Sequence, residues 1–481
     1  MDQRKLLRGC ATALLLYIVL AVGFYLIGGD QLRYRDAQTD MLTGKGVIGE
    51  ITADTVVEQP ISPSGDYLTG ITLYGATYDR PNTGFLLVEV VSEGETLSEC
   101  RIDTESLSDN TTFYIPLEAA LPKDASISLR ITAPESIPGN AVTLYYGDTM
   151  QAGHTAVAAS LTEDDLVYLN GNQLYGALCV SMNTRELLWF GSYYWYVAGA
   201  LLVLLVLYSL RLLQKNKRGI PSSVLNVFVA FKRYRYLIKQ LVARDFKTKY
   251  KRSVLGVLWS FLNPLLTMAV QYIVFSTLFR SNIPNFALYL LIGIVCYSFF
   301  SEATSMTLSS IVGNAALITK VYVPKYIYPL TRVMSSTINF LLALIPLFAV
   351  MLITRTPVSW SILLLPLGII CLFAVCLGIG MLLASSMVFF RDTQFLWNVV
   401  SMLWMYATPI FYPESILPEK LMPLFKCNPL YHIIRFIRTI LMNGVSPEPK
   451  AYLLMFIASF VPLLIGVLVF KRTQDRFVLN I

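Results

Sequence analysis

The chain has 481 residues, 55% hydrophobic and only 14% charged, against roughly 25% charged in soluble domains. Several apolar runs reach the ~20 residues a helix needs to cross a bilayer core, which excludes a soluble enzyme or binding module and predicts a polytopic α-helical membrane protein. The net charge of +7 hides a split: residues 29–190 carry 8 Lys and Arg against 23 Asp and Glu, net −15, while the rest carries 30 bases and 8 acids, net +22, so the two parts are expected to face different compartments.

Residues 1–28 open with Arg4-Lys5-Leu6-Leu7-Arg8 before an apolar run from Gly9 to Gly28. A signal peptide is the rival reading. The run is long, however, and Leu26-Ile27-Gly28-Gly29-Asp30 is a poor small-x-small cleavage site, so an uncleaved transmembrane anchor is expected. A second helix is expected at 191–213, with Arg211, Lys215, Lys217 and Arg218 at its end. Bases at the start of one span and the end of the other place both flanks in the cytoplasm and residues 29–190 outside.

That outer segment reads as an inserted all-β domain of the β-sandwich type. Apolar residues alternate in Ser126-Ile127-Ser128-Leu129-Arg130-Ile131-Thr132, at Val142, Leu144 and Tyr146, and at Phe113 and Ile115. Pro81-Asn82, Ser108-Asp109-Asn110, Pro134 and Pro138-Gly139-Asn140 supply turns. Asp164-Asp165-Leu166-Val167-Tyr168 reads as a turn opening a late strand. Cys100 and Cys179 share this segment and could form one disulfide if it is extracytoplasmic; the sequence leaves open whether they do. His154 and His432 are isolated, and no Cys/His cluster has metal-ligand spacing.

A linker at 214–225 precedes an amphipathic interface helix at 226–252. Phe231, Tyr234, Ile238, Leu241 and Val242 recur at helical spacing among bases that include Arg244, Lys247, Lys249, Lys251 and Arg252, with Asp245 as the one acid. Such a helix suits a membrane surface. Residues 253–481 then read as six spans: Val254–Phe279, Phe286–Ile311, Ile327–Ile353, Ile362–Phe389, Phe395–Phe411 and Tyr452–Phe470. Their even number returns the chain end to the cytoplasm. Segment 312–325 falls on that same side: Gly313-Asn314 breaks a helix, and Pro324 stops a short new one. Arg391-Asp392 forms a second cytoplasmic turn, fit to cap a helix or dock a neighbour. The region 413–447 is outside yet apolar, and Pro429 to Met442 suits a re-entrant helix with Arg435 and Arg438 on one face. Tyr297, Phe299, Phe300, Trp404, Tyr406, Phe411 and Tyr412 cluster towards the outer halves, either as an interfacial belt or as stacking faces for sugars. Glu302 is an acid inside a span, a position that is costly and often functional. Nothing in the chain encodes a P-loop, an Asp-x-Asp sugar-metal motif in the membrane part, or a nucleophile–base pair, so no catalytic residue and no metal ligand is assigned.

In order, these motifs resemble the permeases of type-2 ABC exporters, above all those for O-antigen, teichoic acid and rhamnose-glucose polysaccharides. The likeness is carried by Arg244-Asp245-Phe246-Lys247, by Tyr250-Lys251-Arg252-Ser253-Val254-Leu255-Gly256-Val257-Leu258-Trp259 and by Asn263-Pro264-Leu265. It continues in Gly313, Asn314, Leu317, Ile318, Lys320, Val321, Tyr322, Val323, Pro324 and Lys325, in Phe390-Arg391-Asp392, in Thr408-Pro409-Ile410-Phe411-Tyr412 and in Asn428-Pro429-Leu430. It covers roughly residues 230–481. The resemblance implies a homodimer in a bacterial plasma membrane that exports a lipid-linked polymer. It implies two copies of a separate ATPase subunit, which would hold the ATP and Mg, so this chain carries no cofactor and is not itself an enzyme. Residues 312–325 would be the coupling helix, the 232–252 stretch the gate, and Asn428, Pro429, Arg435 and Arg438 part of the exit. The acidic front domain departs from the pattern; a glycan- or partner-binding module at the exit is expected. Alternatives are an exporter of a drug or small lipid, a membrane glycosyltransferase with a lectin-like domain, and a surface receptor. Nothing in the residues points to nucleic acid as a partner.

Overall fold

The computed structural model describes residues 3–62, 65–122, 126–147, 166–174, 176–218, 223–251, 254–279, 284–321, 323–416, 418, 420 and 422–480, with the side chains of residues 223–231 and 277–279 left aside. Arg252, Tyr322, His154, Asp164 and Asp165 lie outside the described residues. The chain divides into two units, residues 33–194 and residues 1–32 with 195–481.

The first unit is all β. One sheet has eight strands, with the path β1 (Tyr34–Gln38), β14 (Val180–Leu187), β4 (Tyr67–Ala76), β10 (Thr143–Gly147), β13 (Ala177–Leu178); β2 (Gly46–Val47) pairs β10, and β7 (Thr111–Ile115) and β8 (Ala119–Ala120) pair β4. The second has six, in the order β12 (Asn172–Gln173), β11 (Tyr168–Leu169), β3 (Val56–Ile61), β9 (Ile127–Thr132), β5 (Phe85–Ser92), β6 (Glu95–Asp103). Every pairing is antiparallel, with Ile71 opposite Ile115 and Val88 opposite Ile131. Alternation explains the layering. Along β9 burial alternates strictly, so Ile127, Leu129 and Ile131 point inward, as a period of two requires. Leu68, Ile71, Leu73, Ile115 and Leu144 of one sheet share a core with Val57, Leu86, Val88, Val90, Leu129 and Ile131 of the other. This is a β-sandwich. Gln59, 1% exposed, bridges the two sheets by accepting the Leu178 amide at 3.0 Å.

The first and last strands pair, Tyr34 against Leu187, so the domain's two ends leave side by side, as an insertion between two helices needs. β6 is exposed along most of its length and carries Glu95, Glu99 and Asp103; charge on an edge strand blocks pairing with other chains. Cys100 on β6 and Cys179 between β13 and β14 lie in different sheets, and both are free thiols. The disulfide that the sequence leaves open is not formed, and burial pushes the Cys179 thiol up to about 11.

The second unit is helical. Among the described residues, seven helical stretches are long and apolar enough to cross a membrane. The front pair, α1 (Gln3–Arg33) and α2 (Trp189–Lys217), touches where the Tyr17 hydroxyl donates to the Ala198 carbonyl at 2.8 Å and Tyr25 packs on Trp195. Both run a few residues past the expected ends, and α1 breaks helical geometry at Gly29 (φ 54°). There follow α3 (Ser223–Tyr250), α4 (Trp259–Phe279), α5 (Phe286–Leu308), α6 (Ala315–Lys320), α7 (Ile327–Ile353), α8 (Leu365–Phe389), α9 (Thr393–Tyr406), α10 (Met422–Lys426), α11 (Pro429–Arg438), α12 (Pro449–Thr473) and α13 (Phe477–Asn480).

α9 has 14 residues, about 21 Å at 1.5 Å per residue, so it is shorter than the apolar run at 395–411 suggested. Pro409 lacks an amide hydrogen and disfavours helical geometry at the residue before it. The helix also loses its last carbonyls to side chains: Thr408 Oγ1 donates to the Trp404 carbonyl and Asn428 Nδ2 to that of Ala407.

α8 and α12 make the closest crossing. A Cβ on Gly378 would lie 2.5 Å from the Leu463 backbone, and one on Gly466 would lie 2.1 Å from the Gly378 carbonyl oxygen. Small residues permit this approach in a bilayer, where packing rather than water exclusion joins helices. Gly466→Val is therefore expected to force the helices apart and to cost at least the ~1–3 kcal/mol of an overpacked core, read as a lower melting temperature of the detergent-solubilised chain.

In the β-domain, the Glu50 carboxylate accepts the Gly139 amide at 2.8 Å and pairs with Arg80 at 2.9 Å, and these contacts hold its pKa below the ordinary carboxylate range. A lowered folded pKa gives stability that is present above the unfolded value and lost as pH falls through the folded one. The stability gap between wild type and Glu50→Gln, from urea titrations of the full chain, should be complete above about pH 4.3 and close as the solution is made more acidic.

Candidate functional site

The interface helix α3 is amphipathic because apolar residues recur one turn apart among bases. Ile238, Leu241 and Val242 are buried. They share a core with Ile311, Val323, Ile327 and Tyr328 around the 312–325 segment, with Met381, Ala384 and Val388 of α8, and with Phe470 and Phe477 at the chain end.

The 312–325 segment is a 3₁₀ turn at Val312–Asn314 followed by α6. Its underside is anchored. Leu317 and Ile318 pack against the shared core, and Asn314, 7% exposed, donates to the Ser310 carbonyl at 2.8 Å. Gly313, Lys320 and Val321 are exposed, while Pro324 and Lys325 are half-buried. A Cβ on Gly313 would meet nothing within 4 Å, so no close contact requires a glycine there.

Asp245 binds these parts together. With 4% of its side chain exposed, it lies 2.9 Å from Arg332 of α7 and 3.2 Å from Arg244, whose guanidinium also donates to Asn314 Oδ1 at 3.4 Å. Arg332 escaped the sequence reading although a base inside an apolar run is a standing signal of a buried partner. Lys247 and Lys251 are exposed.

One turn beyond Asp245, Lys249 pairs with Glu302 at 2.8 Å, which supplies the partner that the sequence left unnamed. Asn339 of α7 donates to the same Glu302 oxygen at 2.6 Å, and the Tyr250 hydroxyl donates to Asn339 Oδ1 at 3.0 Å while also bonding Ser260. These groups line a cavity of about 260 Å³ between the end of α3 and α4, α5 and α7.

At the other candidate turn, Arg391 and Asp392 are exposed between α8 and α9; Asp392 holds the N-cap position without a side-chain cap bond. The expected capping by that carboxylate is therefore absent, and Thr393 Oγ1 donates instead to the Phe390 carbonyl.

The region expected at the exit is built around two side chains. Asn428 caps α11 by accepting the Leu430 amide, accepts the Trp404 indole at 2.8 Å and donates to Thr408 Oγ1 at 2.7 Å. Pro429 opens α11 at a position where no amide hydrogen is needed. Arg438, 8% exposed, donates to the carbonyls of Pro409 at 2.7 Å and of Tyr289 and Ile410 at 3.1 Å, and lies over the Tyr289 ring. Arg435 faces out, 60% exposed and near Glu414, so the two arginines expected on one face point to different surroundings.

The aromatic set divides. Tyr297, Phe299, Phe300 and Phe411 are buried inside the protomer: Phe299 packs on Phe340, Phe300 on Trp397 and Trp404, Phe411 on Phe275, and the Tyr297 hydroxyl bonds Ser401. In this conformation these four join helices and offer no open face to a sugar. Tyr406 is exposed, and Trp404 and Tyr412 are half-buried.

The ABC-2 type transporter model matches residues 236–442. An O-antigen export system permease protein of Klebsiella pneumoniae is 32% identical over 249 residues, 50% of this chain and 95% of the relative. Its counterpart in Myxococcus xanthus is 31% identical, across 51% of this chain and 95% of its own length. A polysialic acid transport protein of Escherichia coli is 21% identical over 50% of this chain and 93% of its own.

Removing the Asp245 charge tests the hub. Asp245→Asn leaves Arg332 without its carboxylate and is expected to cost about 3 kcal/mol, read as a drop in melting temperature in detergent. Adding Arg332→Gln should recover part of that loss in a double-mutant cycle.

Proposed function

Because this chain belongs to the ABC-2 type transporter family, as one of its multi-pass membrane permeases, we propose that it moves a lipid-linked cell-surface polysaccharide or teichoic-acid-type polymer outward across the bacterial plasma membrane. In this reading two copies form the passage, and two copies of a separate ATPase subunit, holding ATP and Mg, drive it from the cytoplasm. Segment 312–325 is the seat of that subunit, α3 the gate, and the 428–438 turn part of the exit. The β-domain lies outside, both chain ends lie in the cytoplasm, and the domain binds glycan or a partner where the polymer emerges.

One observation carries the reading. The 312–325 segment presents Gly313, Lys320 and Val321 to the surroundings while its underside shares a core with α3, α7, α8 and the chain end. A push on the tip is thus passed to rigid helices, as a partner-driven cycle requires; the free energy comes from contacts that differ between its states. The relatives support the cargo class, since two at 31–32% identity are O-antigen export permeases. The exposed apolar row Phe395, Leu396, Val399 and Leu403 on α9 supports pairing with a second copy, and the bases flanking α1 and α2 support the orientation.

Depleting the protein should trap lipid-linked glycan on the inner leaflet and strip the polymer from the surface; normal surface polymer with no accumulation would refute export. Reversing one exposed charge, Lys320→Glu, should lower co-purification of the ATPase by about tenfold or more without changing the melting temperature.

A further inference from the structure

We propose that the cavity at the end of α3 is a binding site for one neutral sugar ring of the cargo, an inference that rests on the polysaccharide-export reading. Its polar wall is built from Lys249, Tyr250, Trp259, Asn263, Glu302 and Asn339. Glu302 lies six residues before the end of α5, about 9 Å along the axis, so the site sits inside the bundle, in the half that holds α3. Polar groups are costly there, and the hydrogen bonds among Lys249, Glu302, Asn339 and Tyr250 account for only part of their capacity. Lys249 keeps further N–H donors, and the Asn263 carboxamide keeps both donor and acceptor.

Size and charge select the occupant. About 260 Å³ is below the ~300–1,000 Å³ of sites for drug-sized ligands, which fits a single ring. The formal charges of Lys249 and Glu302 cancel, so a phosphate would meet a carboxylate with no surplus cation. Hydroxyls, which both donate and accept, suit the carboxylate, two carboxamides, phenol and ammonium found there. Trp259, 45% exposed and in the lining, supplies apolar surface for the C–H face of a pyranose.

The full chain in lipid nanodiscs is treated with an amine-reactive ester, and modification of Lys249 is followed by mass spectrometry. The probes are methyl glucoside, galactoside, mannoside and rhamnoside, with inorganic pyrophosphate as the charged rival. At least one glycoside should slow Lys249 modification in the millimolar range. Asn263→Ala should weaken that protection about tenfold, the loss of one strong hydrogen bond, and Ser298→Trp, which fills the cavity from an exposed position, should abolish it. Both positions are exposed, and the Lys249 rate without ligand reports that each variant is folded. Protection by pyrophosphate alone, by no probe, or equally in the Ser298→Trp variant overturns the sugar site. Export that persists in those outcomes leaves the polymer reading standing, whereas unchanged surface polymer on depletion removes that reading whatever the cavity binds.

Discussion

A carboxylate that is 4% exposed must be neutralised where it sits, and Asp245 is that carboxylate. An unpaired charge in such a place costs several kcal/mol. The Arg332 guanidinium is therefore obligatory, and it fixes α3 against α7. Arg244 extends the same cluster to Asn314, whose own side chain returns to the Ser310 carbonyl. The result is a short path of directional contacts from α3 to the base of the exposed 312–325 tip. The apolar core around Ile327 and Tyr328 gives that path stiffness, because closely packed interiors transmit displacement rather than absorb it.

Lys249 stands four residues after Asp245, on the same helical face, and makes the second attachment of α3, to Glu302 of α5. Moving the end of α3 breaks both attachments together. The second pair is the more open to water, with Lys249 42% and Glu302 28% exposed against 19% and 4% for Arg332 and Asp245, so breaking the first costs more.

Much of this architecture is legible in the residues. Long apolar runs announce the spans, and strict alternation from Ser126 to Thr132 announces a half-buried strand, because both signals are local averages or local periods. What escaped is long-range pairing. Nothing near Asp245 in sequence points to Arg332, nor does Lys249 point to Glu302. Hydropathy likewise scores Phe299, Phe300 and Phe411 as it does Phe395, although the first three are buried against other helices and the last is 72% exposed. The end of α9 was hidden for another reason: a run can stay apolar through Phe411 while Pro409 disfavours further helix and the side chains of Thr408 and Asn428 take the carbonyls of Trp404 and Ala407. Gln59, polar in a strand, gave no sign that it would cross between two sheets.

The 428–438 turn solves the opposite problem to Asp245. Arg438 is buried, yet its partners are carbonyl oxygens from Pro409, Ile410 and Tyr289 and the face of the Tyr289 ring. Three carbonyl dipoles converging on one guanidinium stabilise the cation without a second charge, and they hold α11 to the end of α9 and the start of α5. Tyr452 adds a further tie, lying edge-on between Phe436 of α11 and Phe24 of α1. The front helix that leads into the β-domain is thereby packed against the helix beside the exit. A polar clamp that needs no partner of opposite charge is insensitive to the loss of any one ion pair, so under the proposed orientation the outer end of the bundle is the fixed frame. The attachments of α3 are by contrast charge pairs, so each depends on the opposite charge of its partner.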